Sequence, residues 1–156
     1  MISLDIPDFG PLQLDHLVSD YNGTLALDGM LHSGVADRLR ELAKEIAIHV
    51  VTADTFGVAR GQLAGLPVTL TIVSPENQAF AKLQYAERLN ASRVVAVGNG
   101  RNDRKLFAAA ALSIGLIQEE GIATATLLEA DILTTSITDA LDLLATPDRI
   151  KATLRS

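Results

Sequence analysis

The sequence contains no cysteine and no tryptophan, and aromatic residues make up only 4% of its 156 residues. Without cysteine there is neither a disulfide framework nor a thiolate metal site, which fits a cytoplasmic setting. So few aromatics leave nothing on which single-stranded nucleic acid would stack, and a net charge of −6 repels a phosphate backbone. Nucleic acid is therefore not an expected partner. Long apolar runs are missing as well: the longest, such as Ala108 to Leu112, fall far short of a bilayer span, so no membrane partner is expected. The N-terminal stretch "MISLDIPDFG" carries acids where a secretory signal would carry bases. What is present is a globular composition, 48% hydrophobic and 21% charged, in a length suited to one domain spanning 1–156.

Short β-branched runs alternate with helical patterns. Strands are predicted at 16–20, 46–54, 67–73, 93–100, 112–116 and 130–135, and helices at 34–45, 55–66, 76–90 and 102–111. In the third helix Phe80, Leu83 and Leu89 are spaced to share an apolar face. A last helix is predicted from Pro147, and the segment before residue 15 reads as an irregular lead-in or an added edge strand. The alternation predicts an α/β fold, a Rossmann-like parallel sheet with helices on both faces.

Ligands of open α/β sheets gather at the carboxyl ends of the strands. Four predicted strands end there in polar groups: Asp20, Thr52 with Asp54 close behind, Ser74, and Asn99 with Asp103 beyond. Asp20 closes an apolar run and is followed by Gly23, which permits a sharp turn. A carboxylate so held can act as nucleophile or metal ligand. Thr52 and a helix opening at Thr55 can hold a phosphate, and Lys82, one turn into the third helix, can bring a cation to the same place. "VGNGRND" flanks Asn99 with glycines and offers Asn99 and Asp103 as oxygen ligands to a hard cation such as Mg²⁺. Together these groups describe in-line phosphoryl transfer from a phosphorylated substrate.

"DYNGTL", "VVTAD", Lys82 and "VGNGRND" stand in the order and approximate spacing of the four motifs of the haloacid dehalogenase (HAD) superfamily, which the chain resembles over roughly residues 16 to 145. Within it, the chain looks most like the phosphorylation domain of P-type ATPases as a free-standing protein. "VVAVGNGRNDRKLFAAAALSIGL" and "EADILTTSITDALDLL" extend the likeness beyond the motifs. The resemblance implies an aspartyl-phosphate on Asp20, with Thr52 and Lys82 on the phosphoryl oxygens. It implies Mg²⁺ held by Asp20, the backbone carbonyl of Asn22, and the loop bearing Asn99 and Asp103.

Two positions depart from the family pattern. Asn22 stands where phosphatases carry a second Asp that gives and takes the leaving-group proton; an amide can orient but not exchange a proton, which implies slow turnover. Asn99 stands where the family has its first loop Asp, which implies weaker Mg²⁺ binding. A second reading is thus a catalytically reduced module that retains a phosphate and Mg²⁺ site. After Asp20 the segment "YNGTLALDGMLHSG" suffices for a small β-hairpin flap but not for a cap domain. An open mouth then admits a large substrate or is covered by a second copy, as in the tetrameric capless deoxy-octulosonate 8-phosphate phosphatases, with Met30 and Leu31 buried between copies. His16, His32 and His49 show no metal-ligand spacing, and only His32 lies in the flap. Arg101, Arg104 and Lys105 form a basic cluster that either is merely solvated or attracts an anionic substrate.

Overall fold

The computed structural model describes residues 1–54 and 57–156. The chain opens with β1 (Ile2–Ile6) and β2 (Gly10–Leu14), followed by β3 (His16–Ser19). A small hairpin comes next, β4 (Ala26–Leu27) and β5 (Met30–Leu31), and then α1 (Val35–Leu42) and β6 (Ala47–Thr52). Beyond these lie α2 (Ala59–Gln62), β7 (Thr69–Ile72), α3 (Gln78–Arg88), β8 (Val94–Gly98), α4 (Arg104–Ala109) and β9 (Leu112–Leu116). The chain finishes with α5 (Thr124–Leu127), β10 (Ile132–Thr134), α6 (Ile137–Ala145) and α7 (Pro147–Leu154). The predicted helix start at Thr55 lies outside the described residues.

Six strands pair in parallel in the order β10-β9-β8-β3-β6-β7. Strand alternation sorts the core into two layers. Leu17, Ile48, Val50, Val95 and Val97 face a layer built with α1, α2, α6 and α7. Val18, Val51, Val94 and Ala96 face the other, beside Ala86 of α3 and Leu106 and Phe107 of α4. Every residue of β8 and β9 is buried, which is why β8 reads as an unbroken apolar run and β9 as one interrupted only by Ser113, whose hydroxyl donates to Phe107 O. Among the described residues no helix is long and apolar enough to cross a membrane. No cap domain interrupts the described chain; only the β4–β5 hairpin stands over the sheet's carboxyl end.

Two expectations are corrected. The segment before residue 15 is neither irregular nor an edge of the main sheet: β1 and β2 form a separate antiparallel hairpin. Alternation puts Ile2, Ile6, Leu12 and Leu14 inward, and the turn takes positive φ at Asp8 and Gly10. Arg93 fastens this hairpin, bonding Asp15 and donating to Gln13 Oε1 at 2.8 Å. The second correction concerns α3, whose buried residues are Lys82 and Ala86, while Phe80 is 51% exposed.

A half-buried polar chain crosses the other end of β3 and β6. His16 Nδ1 lies 3.1 Å from His49 Nε2, and His49 Nδ1 lies 2.9 Å from the Tyr85 hydroxyl. Burial, and then the charge of His16, hold His49 below its ordinary value of 6.5. The unfolded chain therefore takes up this proton first as pH falls. Stability is expected to decline from about pH 6.5 downward and to level off once the folded value is passed. Thermal melts at pH 7.5 and pH 5.5 check this: the wild-type decrease should shrink in His49→Gln, and an equal decrease in both assigns acid sensitivity elsewhere.

Candidate active site

Asp20, Thr52 and the loop after β8 sit together because β8, β3 and β6 are adjacent parallel strands, in register at Ser19 with Val97 on one side and Val50 on the other. The amide of Asp20 still pairs with Val97 O at 3.2 Å, so the ladder holds the backbone of Asp20 until its side chain leaves the sheet. Asp20 Oδ1 accepts from Tyr21 N at 2.8 Å and lies 3.2 Å from Lys82 Nζ, while Oδ2 has no partner among the described residues. Burial, opposed by the nearby Lys82 charge and helped by that of Asp103, pushes this carboxyl up to about 6.

Lys82 is 1% exposed and reaches Asp103 Oδ1 at 2.7 Å and Asn102 Oδ1 at 3.1 Å as well as Asp20. Burial opposes its charge, but the Asp103 and Asp20 carboxylates outweigh that and raise its pKa. Asp103, wholly buried, uses its second oxygen to accept from Asn99 N at 3.1 Å and Gly100 N at 3.0 Å. It ties the glycine-flanked loop to the lysine, and both of its oxygens are engaged. The approach is close enough that a Cβ on Gly98 would stand 2.3 Å from Asp103 Oδ2.

Asn99 is buried. Its Oδ1 accepts from the Thr24 hydroxyl at 3.3 Å, and its Nδ2 donates to Gly121 O at 3.0 Å. Gly23 turns at φ 78°, and Asn22 Oδ1 accepts from Gly29 N at 3.0 Å, linking the loop after Asp20 to the β4–β5 flap. With the carbonyl so occupied, the Asn22 NH₂ is left as a donor. Thr52 Oγ1 accepts from Asp54 N at 3.1 Å, leaving its proton to donate. Asp54 Oδ1 in turn accepts from Ala59 N at the start of α2, which makes it a structural cap. The four residues expected to do the chemistry and the glycine-flanked loop thus share one end of the sheet.

In the flap, Leu31 packs against the chain's own core and donates its amide to Gln62 Oε1 at 3.1 Å, whereas Met30 is 60% exposed. Within this chain, then, the Met30 and Leu31 expectation divides between the two residues. Among the described residues His32 Nε2 is buried without a hydrogen bond, 3.9 Å from Glu119 Oε2. Arg101 and Arg104, with Ala79 and Asn102, line an open cleft of about 430 Å³ beside the loop, and Lys105 is exposed. Sequence reasoning missed Asn102 as a partner of Lys82 and missed Gln118, whose Nε2 donates to Gly23 O at 3.2 Å and Thr24 O at 3.1 Å. No spacing signal marks either residue, because each meets the site through a loop.

Among the described residues no three His, Cys, Asp or Glu side chains converge as a ready metal cluster. The oxygens near Asp20 nonetheless suit Mg²⁺, which keeps several waters and asks for only one or two carboxylates. Asp20 Oδ2 is unpartnered, and the Asn99 carbonyl, accepting one bond, retains a lone pair.

No family model matches the sequence. The chain belongs to one family with an uncharacterized protein of Methanocaldococcus jannaschii, to which it is 41% identical over 83 residues, 51% of this chain and 89% of that one. Its fold is that of the HAD superfamily. A cobalt-bound deoxy-D-mannose-octulosonate 8-phosphate phosphatase from Haemophilus influenzae superposes with a TM-score of 0.73 at 13% identity, over 92% of this chain and 94% of that one. The 3-deoxy-D-manno-octulosonate 8-phosphate phosphatase of Moraxella catarrhalis, in complex with magnesium, phosphate and the sugar, gives 0.72 at 16% identity, over 91% and 94%. The corresponding enzyme of Yersinia pestis gives 0.68 at 17% identity, over 98% and 95%.

Proposed function

We propose that this chain, which carries the HAD fold, is a Mg²⁺-dependent phosphohydrolase working through an aspartyl-phosphate on Asp20. The single observation behind this reading is the buried contact of Lys82 with both Asp20 and Asp103, 3.2 and 2.7 Å away, at the tip of the central strand. Asp20 Oδ2 forms a bond to phosphorus as the bond to the leaving oxygen breaks. Water then attacks the same phosphorus, the bond from phosphorus to Asp20 Oδ2 breaks, its proton passes to solvent, and free phosphate departs as the carboxylate is restored. Lys82 and the Thr52 hydroxyl bear on the transferring oxygens, and the Asn22 NH₂ orients the leaving group. Asp20, the Asn22 backbone carbonyl and the Asn99 carbonyl would hold Mg²⁺, which would supply neutralisation of phosphoryl charge. Asp103, with both oxygens engaged, serves by positioning Lys82 and the loop. The solved phosphatases that share the fold support a phosphoric monoester substrate. Arg101 and Arg104 suit an anionic one, and the lack of cysteine suits the cytoplasm.

Asn22 makes the leaving group decisive. An alkyl phosphate needs a proton that Asn22 cannot give, whereas an acyl, nucleotide or activated aryl phosphate does not. With Mg²⁺, phosphate release is expected from acetyl phosphate and p-nitrophenyl phosphate, and little from alkyl esters. If none is hydrolysed while phosphate binds saturably by calorimetry, the module reading replaces the enzyme. Asn22→Asp should speed alkyl ester hydrolysis by about 10² or more, within the range that general acid–base catalysis supplies. An unchanged rate would remove the missing acid as the explanation.

A further inference from the structure

The backbone of Gly29, in the turn between β4 and β5, is held on both sides by the loop after Asp20. The turn runs through Asp28 and Gly29 at φ 50° and 86°, and Gly29 is buried although Asp28 and Met30 beside it are exposed. Its amide donates to Asn22 Oδ1 at 3.0 Å, and its carbonyl accepts from the Tyr21 hydroxyl at 2.9 Å. Tyr21 is fully buried, and a phenol that faces a carbonyl can only donate. The backbone of Tyr21 is engaged at the other end: its amide donates to Asp20 Oδ1 at 2.8 Å, and its carbonyl accepts from Thr24 N at 3.1 Å and Ala26 N at 3.0 Å. One residue therefore joins the Asp20 carboxylate to the flap. The flap needs such a tie, because a hairpin of two-residue strands is too short to be stable by its own pairing.

Building on the phosphohydrolase reading, we propose that Tyr21 is a positioning residue: its hydroxyl fixes Gly29, and Gly29 in turn fixes which way round the Asn22 amide stands. An asparagine amide can turn over, exchanging its oxygen for its NH₂. With the Gly29 N–H held in place, the oxygen is kept toward the flap and the NH₂ is left for the leaving oxygen. A turned amide would set NH₂ against N–H at the flap and oxygen against oxygen at the substrate. The β4–β5 turn is then a fixed wall of the site, and its stillness serves the orientation of Asn22.

Tyr21→Phe removes the hydroxyl and keeps the ring. Amide hydrogen exchange of Gly29 should speed up by about 3- to 10-fold, the worth of one intramolecular hydrogen bond, while the Asp20 amide, paired with Val97 O, keeps its wild-type rate. With p-nitrophenyl phosphate, kcat should fall by a similar factor, and the inhibition constant of inorganic phosphate, which has no leaving group, should not change. In an Asn22→Ala background the same substitution should cost nothing further, because the group it positions is gone. An unchanged Gly29 exchange rate overturns the hold on the flap, and faster exchange with unaltered kcat overturns its bearing on the reaction; both leave the phosphohydrolase reading standing. Equal losses with and without Asn22 overturn the route through that amide. A wild-type chain that releases no phosphate from the ester overturns the phosphohydrolase reading and the positioning role with it.

Discussion

Asp20→Asn is expected to abolish phosphate release, with a decrease on the order of 10³-fold or more, because on the proposed mechanism it removes the oxygen that would bond to phosphorus. The amide would still accept from Tyr21 N and keep Lys82 company, so the site's shape survives. Folding should not suffer, since the replaced group is a carboxylate that burial already disfavours in its charged form. Catalytic sites of this kind sacrifice stability for function, and the neutral variant should melt no lower than wild type. Colorimetric phosphate release and a thermal melt, run on the same preparation, check both halves. Retained turnover by well-folded Asp20→Asn would mean that another group attacks, and the aspartyl-phosphate reading would have to be given up.

The second large effect belongs to Lys82, where chemistry and stability cannot be separated by a single change. Lys82→Met keeps an unbranched side chain of similar reach but leaves Asp103 wholly buried without its cation. Breaking a buried pair from one side costs about 3–5 kcal/mol. Turnover should fall by about 10²–10³ as well, the scale of losing one preorganised charge at a developing anion. Lys82→Met with Asp103→Asn separates the two. The amide oxygen can still accept from Asn99 N and Gly100 N, and most of the lost stability should return while activity stays absent. Urea unfolding of the four proteins in this cycle measures the coupling. A double variant as unstable as Lys82→Met would show that the lysine stabilises by packing and not by its charge.

The parallel sheet was legible because its strands are so deeply covered. β9 was predicted at the residues where it occurs, 112–116, and β8 lies within its predicted span. The same cue misled at α3, where apolar spacing singled out Phe80. A lysine can occupy the inner face when two carboxylates await it, and hydropathy along one helix contains no trace of partners on other elements. Proline and glycine around residues 7–11 drew attention away from the alternating Ile2, Leu4 and Ile6, whose period marks a strand. α5 went unseen because four residues carry too little pattern. At the site, residues at strand ends were recognisable since parallel strands bring their carboxyl ends together. Gln118 was not, because its position depends on the path of a loop that local composition does not specify.

The bond from Gly29 N to Asn22 Oδ1 joins the doorway to the machinery behind it. An enzyme with a separate lid can alter who enters without disturbing how a proton moves. Here one amide is the post on which the door hangs and, on the proposed mechanism, also the group that would stand beside the departing oxygen. Any replacement at position 22 must therefore retune admission and reaction rate at once, and the two traits would have to diversify together.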